Sequence, residues 1–331
     1  MKRSRQRRLL LVARTVISVS LLVYLLFQVN ISQLLAASQH LSLALLALAF
    51  VLQLAGVFVS SAKWWLLLRA CGQSVPYRWA LQTYFIGQFF SNFLPTMIGG
   101  DAVRVYRLNQ RLKQPAIALT SVFVERLTGF LALTVIAALA LVRSAGTLQH
   151  TPALLWGATW CVVAASAGVL VALAAPLVAR SLVRLPVPNI QDWRGKLQLL
   201  AQTLGEYYRY RRTLFTVVVM SFAYQLSWIG VNYAVIRALA LAVPLYFTAL
   251  MVPISDIIGL VPIFLNSIGA RGGTFLLLLR SLGVSAASTV ALSTLVFVVR
   301  MLVSLLGGLL YMLQGVTGSG VPPRTGMLAT S

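Results

Sequence analysis

The 331-residue sequence has few charged residues, and acidic residues are especially scarce. Charged residues make up 10% of the chain, whereas soluble domains carry roughly a quarter, so the composition excludes an ordinary soluble domain. Only 5 residues are Asp or Glu, against 27 Lys and Arg, and there are only 2 Cys and 2 His. No catalytic triad, metal-ligand spacing or Walker A pattern is present. The sequence therefore predicts a protein that is not an enzyme and that needs no metal or cofactor.

Long apolar runs dominate instead. Hydrophobic residues make up 59% of the chain, and several runs exceed the roughly 18 residues that indicate a spanning helix. We predict an all-α integral membrane fold with about six spans, at about 9–28, 41–62, 116–142, 153–178, 213–238 and 286–313. The tail at 316–331 is rich in Gly, Pro, Ser and Thr, which predicts disorder.

Two apolar segments are interrupted by Pro and Gly, one at 79–95 followed by Gly99-Gly100, the other at 245–282. Each predicts a re-entrant helix pair, because irregular backbone at membrane depth needs cover from protein or from a water-filled cavity. Spans flank each pair, giving repeat one at about 41–142 and repeat two at about 213–313. Span four lies between the repeats and makes them inverted, as in transporters with a site near the midplane. The simpler alternative is the ordinary abundance of Pro and Gly in membrane helices.

The distribution of basic residues indicates the orientation. With the N-terminus inside, 20 of them fall in cytoplasmic segments, including 7 in a loop at about 180–212, and only Arg143, Arg237 and Arg280 fall outside. We therefore predict a multi-pass protein of the bacterial inner membrane with both termini cytoplasmic. The same distribution favours anionic phospholipid headgroups as partners over nucleic acid. A homodimer is left open.

Charged side chains inside membrane segments cost roughly 2.5–3.5 kcal/mol at a helix centre, so they predict paired or functional positions. The candidate substrate-binding residues are Asn92, Asp101, Arg104, Glu125, Arg126, Asp256, Asn266, Arg271 and Arg300. Asp101 could instead cap a helix, and Glu125 and Arg300 could form purely structural ion pairs. Glu125 and Arg126 are adjacent and point about 100° apart on a helix, so we expect each to pair with another helix.

Three motifs carry a family resemblance. Residues 92–95 (NFLP) and 99–104 (GGDAVR) together resemble the N-x-x-P…GGD-x-x-R signature of the flippase-like family, which includes the transmembrane domain of lysylphosphatidylglycerol synthase. Residues 124–129 (VERLTG) resemble its second motif, a Glu-Arg pair in the next span. Pro262 with residues 269–271 (GAR) resembles the third.

The third motif departs from the family pattern at two positions. Ser267 replaces a glycine, and Gly272 stands where the family usually has Glu, so Asp256 is a candidate to supply the missing charge beside Arg271. The resemblance implies a flippase-like transmembrane domain over 1–315 that binds or moves lipids. In some members of the family that lipid is aminoacylated phosphatidylglycerol.

Together these features predict a flippase that moves an anionic or aminoacylated phospholipid between leaflets. Helix N-termini with Arg104 and Arg271 would hold the phosphate, while Asp101, Glu125 and Asp256 would shape the cavity. The alternative is a non-transporting lipid-binding scaffold, or an accessory subunit of a lipid- or glycan-modifying enzyme. An integral-membrane enzyme is least favoured, for want of a nucleophile or a metal site.

Overall fold

The computed structural model describes residues 41–92, 99–182, 210–260 and 268–317. In these ranges the backbone forms nine α-helices and no strand, which confirms the all-α prediction. They are α1 (Leu43–Ala70), α2 (Tyr77–Ser91), α3 (Gly99–Leu112), α4 (Pro115–Leu148), α5 (Pro152–Leu182), α6 (Arg211–Ala238), α7 (Leu245–Ile258), α8 (Ile268–Arg280) and α9 (Ala286–Thr317). The predicted first span, the candidate Asn266 and residues 318–331 of the tail predicted at 316–331 lie outside the described residues, whereas residues 316 and 317 belong to α9.

Five helices, α1, α4, α5, α6 and α9, are long and apolar enough to cross a membrane, and they match the predicted spans two to six. Their outer faces carry exposed large apolar side chains such as Leu139, Val142 and Phe215. Water would disfavour such a surface, whereas lipid acyl chains suit it. The chain is therefore a multi-pass membrane protein.

Glycines allow the short helix α2 to pack closely against its neighbours. A Cβ added at Gly307 of α9 would collide with the carbonyl oxygen of Phe85 in α2. A Cβ at Gly100 of α3 would collide with the carbonyl oxygen of Gly87, also in α2. Only residues without a side chain permit backbones to approach this closely. These contacts fix α2 between α3 and α9.

The helices form two units of four, α1–α4 and α6–α9, with the same order of lengths. The first unit has helices of 28, 15, 14 and 34 residues, and the second has helices of 28, 14, 13 and 32 residues. After each first helix the backbone turns through a left-handed residue, Gly72 (φ 73°) or Ala240 (φ 54°). Each of these turns ends in a proline, Pro76 or Pro244, that precedes the next helix. The likeness between the units thus extends to their loops.

The first helices of the two units, α1 and α6, pack against each other in antiparallel directions. The Ser42 amide at the start of α1 donates to the Ala238 carbonyl at the end of α6, at 3.2 Å. Farther along α1, Lys63 Nζ donates to Ser221 Oγ, nearer the start of α6, at 3.1 Å. The units also exchange contacts, since α4 packs on α7 and α9 packs on α2. The α1–α6 pair is therefore the centre about which the two units interlock.

Candidate functional site

A cavity of about 130 Å³ lies inside the helix bundle, where the ends of α2 and α7 and the start of α8 meet the long helices. Arg300 and Tyr224 line it from the middle of their spans, Ala286–Gln314 and Arg211–Ala238. The charged side chains of the lining are Lys63, Glu125, Arg126, Asp256, Arg271 and Arg300. A polar, mostly cationic cavity thus lies at mid-height of apolar helices, where unpaired charge is costly.

The first unit contributes a network of ion pairs that joins α1, α3 and α4. Arg104 Nη2 lies 2.6 Å from Glu125 Oε2, and Arg104 Nη1 lies 3.1 Å from Asp101 Oδ1. Arg126 Nε lies 2.6 Å from Asp101 Oδ2, and Lys63 Nζ lies 3.5 Å from Glu125 Oε1. The expectation that Glu125 and Arg126 each pair with another helix is confirmed.

Arg104 is at the centre of this network and is only 2% exposed. Its guanidinium lies between two rings, 4.4 Å from the Trp64 centroid and 4.3 Å from that of Tyr84. The Tyr84 hydroxyl donates to Glu125 Oε1 at 3.4 Å. Arg104 does not line the cavity, and the predicted contact with a lipid phosphate does not fit this placement. Arg104 instead holds Glu125 in place, and Glu125 does line the cavity.

Two other predicted residues also lie outside the cavity lining. Asp101 is the third residue of α3, so the alternative that it caps this helix from outside is wrong. Its carboxylate in the first turn is favoured by the helix dipole and holds Arg126 in place. Asn92 follows α2, and its Nδ2 donates to Ser304 Oγ of α9 at 2.6 Å. It ties α2 to α9 at the edge of the site.

The second unit contributes a matching carboxylate–guanidinium pair. Arg271 Nη2 lies 3.2 Å from Asp256 Oδ1, and Trp228 Nε1 donates to Asp256 Oδ2 at 2.9 Å. The guanidinium of Arg271 also lies 5.1 Å from the centroid of the Trp228 ring. The prediction that Asp256 supplies the charge missing at Gly272 is confirmed by this contact.

Arg300 is different from the other cations around the cavity. In the described part of the chain its guanidinium has no ion pair and no hydrogen bond, although it lines the cavity. The structural ion pair considered as an alternative is therefore present for Glu125, which contacts two cations. No such pair is present for Arg300 among the described residues. Its free N–H groups are available to a ligand.

The family can be identified from a match over most of the chain. The model of the lysylphosphatidylglycerol synthase TM region matches residues 11–308. The chain belongs to that family. This agrees with the motif resemblance and marks the chain as a membrane protein of a lipid-related family. A comparison with curated proteins found no match.

Sequence reasoning missed most of the uncharged residues of the cavity lining and one charged residue, and Lys63, Gln88 and Trp228 are among those missed. The predicted span two ended at residue 62, just before Lys63, but α1 continues to Ala70 and buries Lys63 to 2% exposure. The apolar run at residues 64–68 was the available signal that the helix continues. Among the described residues no three His, Cys, Asp or Glu side chains form a group that could hold a metal. The prediction that no cofactor is needed stays a prediction.

Proposed function

We propose that this protein translocates a phospholipid between leaflets and binds the headgroup phosphate in the cavity. Arg300 is the observation that carries the proposal. A lone cation at the centre of a spanning helix costs roughly 2.5–3.5 kcal/mol, and a phosphate would offset that cost. Among the described residues, Arg126 bonds to protein through Nε alone and Arg271 through Nη2 alone, so both retain N–H groups for a ligand beside Arg300. Charge-assisted bonds from several guanidiniums are a strong means of binding phosphate.

The size of the cavity limits what enters it. A volume of about 130 Å³ is slightly smaller than that of an engineered cavity of roughly 150 Å³ that admits benzene. That space suits the phosphate and its nearest atoms rather than an entire lipid. The acyl chains would therefore remain in the bilayer while the phosphate passes through the protein.

Access from both leaflets follows if the two units are inverted repeats. The antiparallel packing of α1 on α6 and the matched helix lengths support this arrangement. With 15 and 14 residues, α2 and α3 extend about 22 Å each at a rise of 1.5 Å per residue, short of the ~30 Å hydrocarbon core. Each short pair would then enter and leave on one side, α2–α3 from the cytoplasm and α7–α8 from outside. The cavity would open alternately to either side, as in other inverted-repeat transporters.

The proposed setting is the inner membrane of a bacterium, with both termini in the cytoplasm. The excess of basic residues in the loops of that face supports this orientation. The protein would act as a transporter rather than an enzyme, driven by an ion gradient or by the lipid gradient itself. Anionic phospholipids would be its partners.

Proteoliposomes test the proposal. Phosphatidylglycerol labelled with a fluorophore on one acyl chain is reconstituted with the protein, and dithionite then quenches the label in the outer leaflet. We expect wild type to expose nearly all of the label, and Arg300→Gln to slow its movement at least about tenfold, about 1.4 kcal/mol of lost interaction. The control Leu302→Ala, two residues away with a 49% exposed side chain, should behave as wild type.

The opposite result would favour the alternative function. If wild-type protein leaves as much label protected as protein-free vesicles do, the protein does not translocate this lipid. If such a protein still binds the lipid, the non-transporting scaffold becomes the better account.

A further inference from the structure

We infer that the cavity selects a headgroup whose only charge is the phosphate, and rejects headgroups that also carry an ammonium group. This inference rests on the proposed function and names the class of substrate. It sets this chain apart from the aminoacylated lipid that the family resemblance allows. Three observations carry it. Donors of the protein already occupy the carboxylates, cations outnumber carboxylates, and the first unit has Gln88 where the second unit has Asp256.

The carboxylates around the cavity are already occupied. Asp101, Glu125 and Asp256 provide six oxygen atoms, and each lies within 3.5 Å of a donor of the protein. The donors are Lys63, Arg104, Arg126, Trp228 and Arg271, with Tyr84 as a second donor to Glu125. An ammonium group entering the cavity would have to displace one of these donors. A phosphate displaces none of them.

The cations are in excess. In the described part of the chain, five cationic side chains, Lys63, Arg104, Arg126, Arg271 and Arg300, accompany the three carboxylates, which leaves two positive charges uncompensated there. Surrounding apolar helices screen this charge less than water does, so its effect reaches across the cavity. Like charges brought together at a binding site oppose the wrong partner. The field therefore attracts a phosphate and repels an ammonium group.

Gln88 occupies the place where the first unit could have offered a carboxylate. It lies twelve residues after Pro76, and Asp256 lies twelve residues after Pro244 in the second unit. Both side chains line the cavity, and Gln88 has no hydrogen-bond partner among the described residues. A Glu at this position would have the same shape, add a carboxylate to the cavity lining and lower the excess of positive charge there. Gln88→Glu should therefore create the acceptor that an ammonium group needs.

Calorimetric titration of the purified full-length protein in detergent tests the inference. The probes are short-chain phosphatidylglycerol, short-chain lysyl-phosphatidylglycerol and inorganic phosphate. We expect wild type to bind phosphatidylglycerol at least about tenfold more tightly than either other probe. Gln88→Glu should bind the lysylated lipid several-fold more tightly than wild type does. Gln149→Glu, which adds the same charge at an exposed position outside the cavity lining, should leave both affinities unchanged.

The outcomes separate this inference from the proposed function. Equal or tighter binding of the lysylated lipid by wild type overturns the selectivity, as does failure of every probe to bind. Free phosphate that binds as tightly as phosphatidylglycerol shows that the site does not take a lipid. If phosphatidylglycerol is preferred in the titration but crosses no bilayer in the vesicle assay, the selectivity stands and translocation falls.

Discussion

Glu125 is the carboxylate whose loss should disturb the site most. It contacts both Arg104 and Lys63, and these three residues are at most 3% exposed. Glu125→Gln keeps the shape of the side chain but leaves two buried cations with less negative charge. Removing one partner of a buried ion pair typically costs about 3–5 kcal/mol. Tyr84 and Asp101 retain some of the interactions, so we expect the lower end of that range, about 3 kcal/mol.

Unfolding by SDS in mixed micelles, followed by circular dichroism, measures this cost. The double variant Lys63→Met/Glu125→Gln should recover part of the loss, because it removes one of the cations that Glu125→Gln leaves unpaired. Leu139→Ala serves as the control on the same helix, since the side chain of Leu139 is 69% exposed and contributes little to the interior.

The reasoning fails if Glu125→Gln unfolds within about 1 kcal/mol of wild type, the range of an exposed ion pair. It also fails if adding Lys63→Met lowers the stability further by its full individual effect. Either result would mean that the network is hydrated or that the charges are not coupled.

Three further predictions concern other positions. All three use the same unfolding measurement, and the third also uses the calorimetric titration with phosphatidylglycerol. Gly307→Ala places a methyl group against the backbone of α2 and should destabilise by about 1–3 kcal/mol, whereas Gly157→Ala, which meets nothing within 4 Å, should not; equal effects would refute the close helix contact. Ala240→Gly relieves a left-handed backbone (φ 54°) and should stabilise by about 1 kcal/mol; a loss of stability would count against that conformation. Asp256→Asn should destabilise by about 2 kcal/mol yet tighten phosphatidylglycerol binding, because Arg271 loses its carboxylate; weaker binding would contradict the assigned role.

The spans could be predicted from the sequence because the bilayer imposes their length and apolar character. The apolar runs at 116–142 and 213–238 reappear as α4 and α6 with small changes at the ends. The end of span two was placed at residue 62, eight residues before α1 ends at Ala70. The error arose because Lys63 and the aromatic residues after it have the composition of a membrane interface. In the fold they are covered by α2, α4 and α6, which local composition does not reveal.

The charged residues of the site could be found because charge is rare and costly inside a membrane. Their partners could not, because Arg104 and Glu125 belong to different helices that meet only in the folded chain. For the same reason sequence reasoning assigned phosphate binding to Arg104, although packing buries Arg104 and leaves Arg300 without a partner among the described residues. The sequence also contains a stronger signal of the internal repeat than the Pro and Gly interruptions from which the repeat was predicted. Residues 69–76 and 237–244 share the pattern Arg-Ala-x-x-x-x-Val-Pro, which marks the matching turns of the two units.

The central claim is that the cavity binds the phosphate of a lipid at mid-membrane depth. A structure determined in nanodiscs rich in phosphatidylglycerol tests this most directly. We predict a lipid phosphate within hydrogen-bonding distance of the Arg300 guanidinium, with Arg126 or Arg271 as a second donor and the acyl chains directed outward between helices. A cavity that holds only water in that structure, while lipid phosphates bind elsewhere on the protein, would contradict the account.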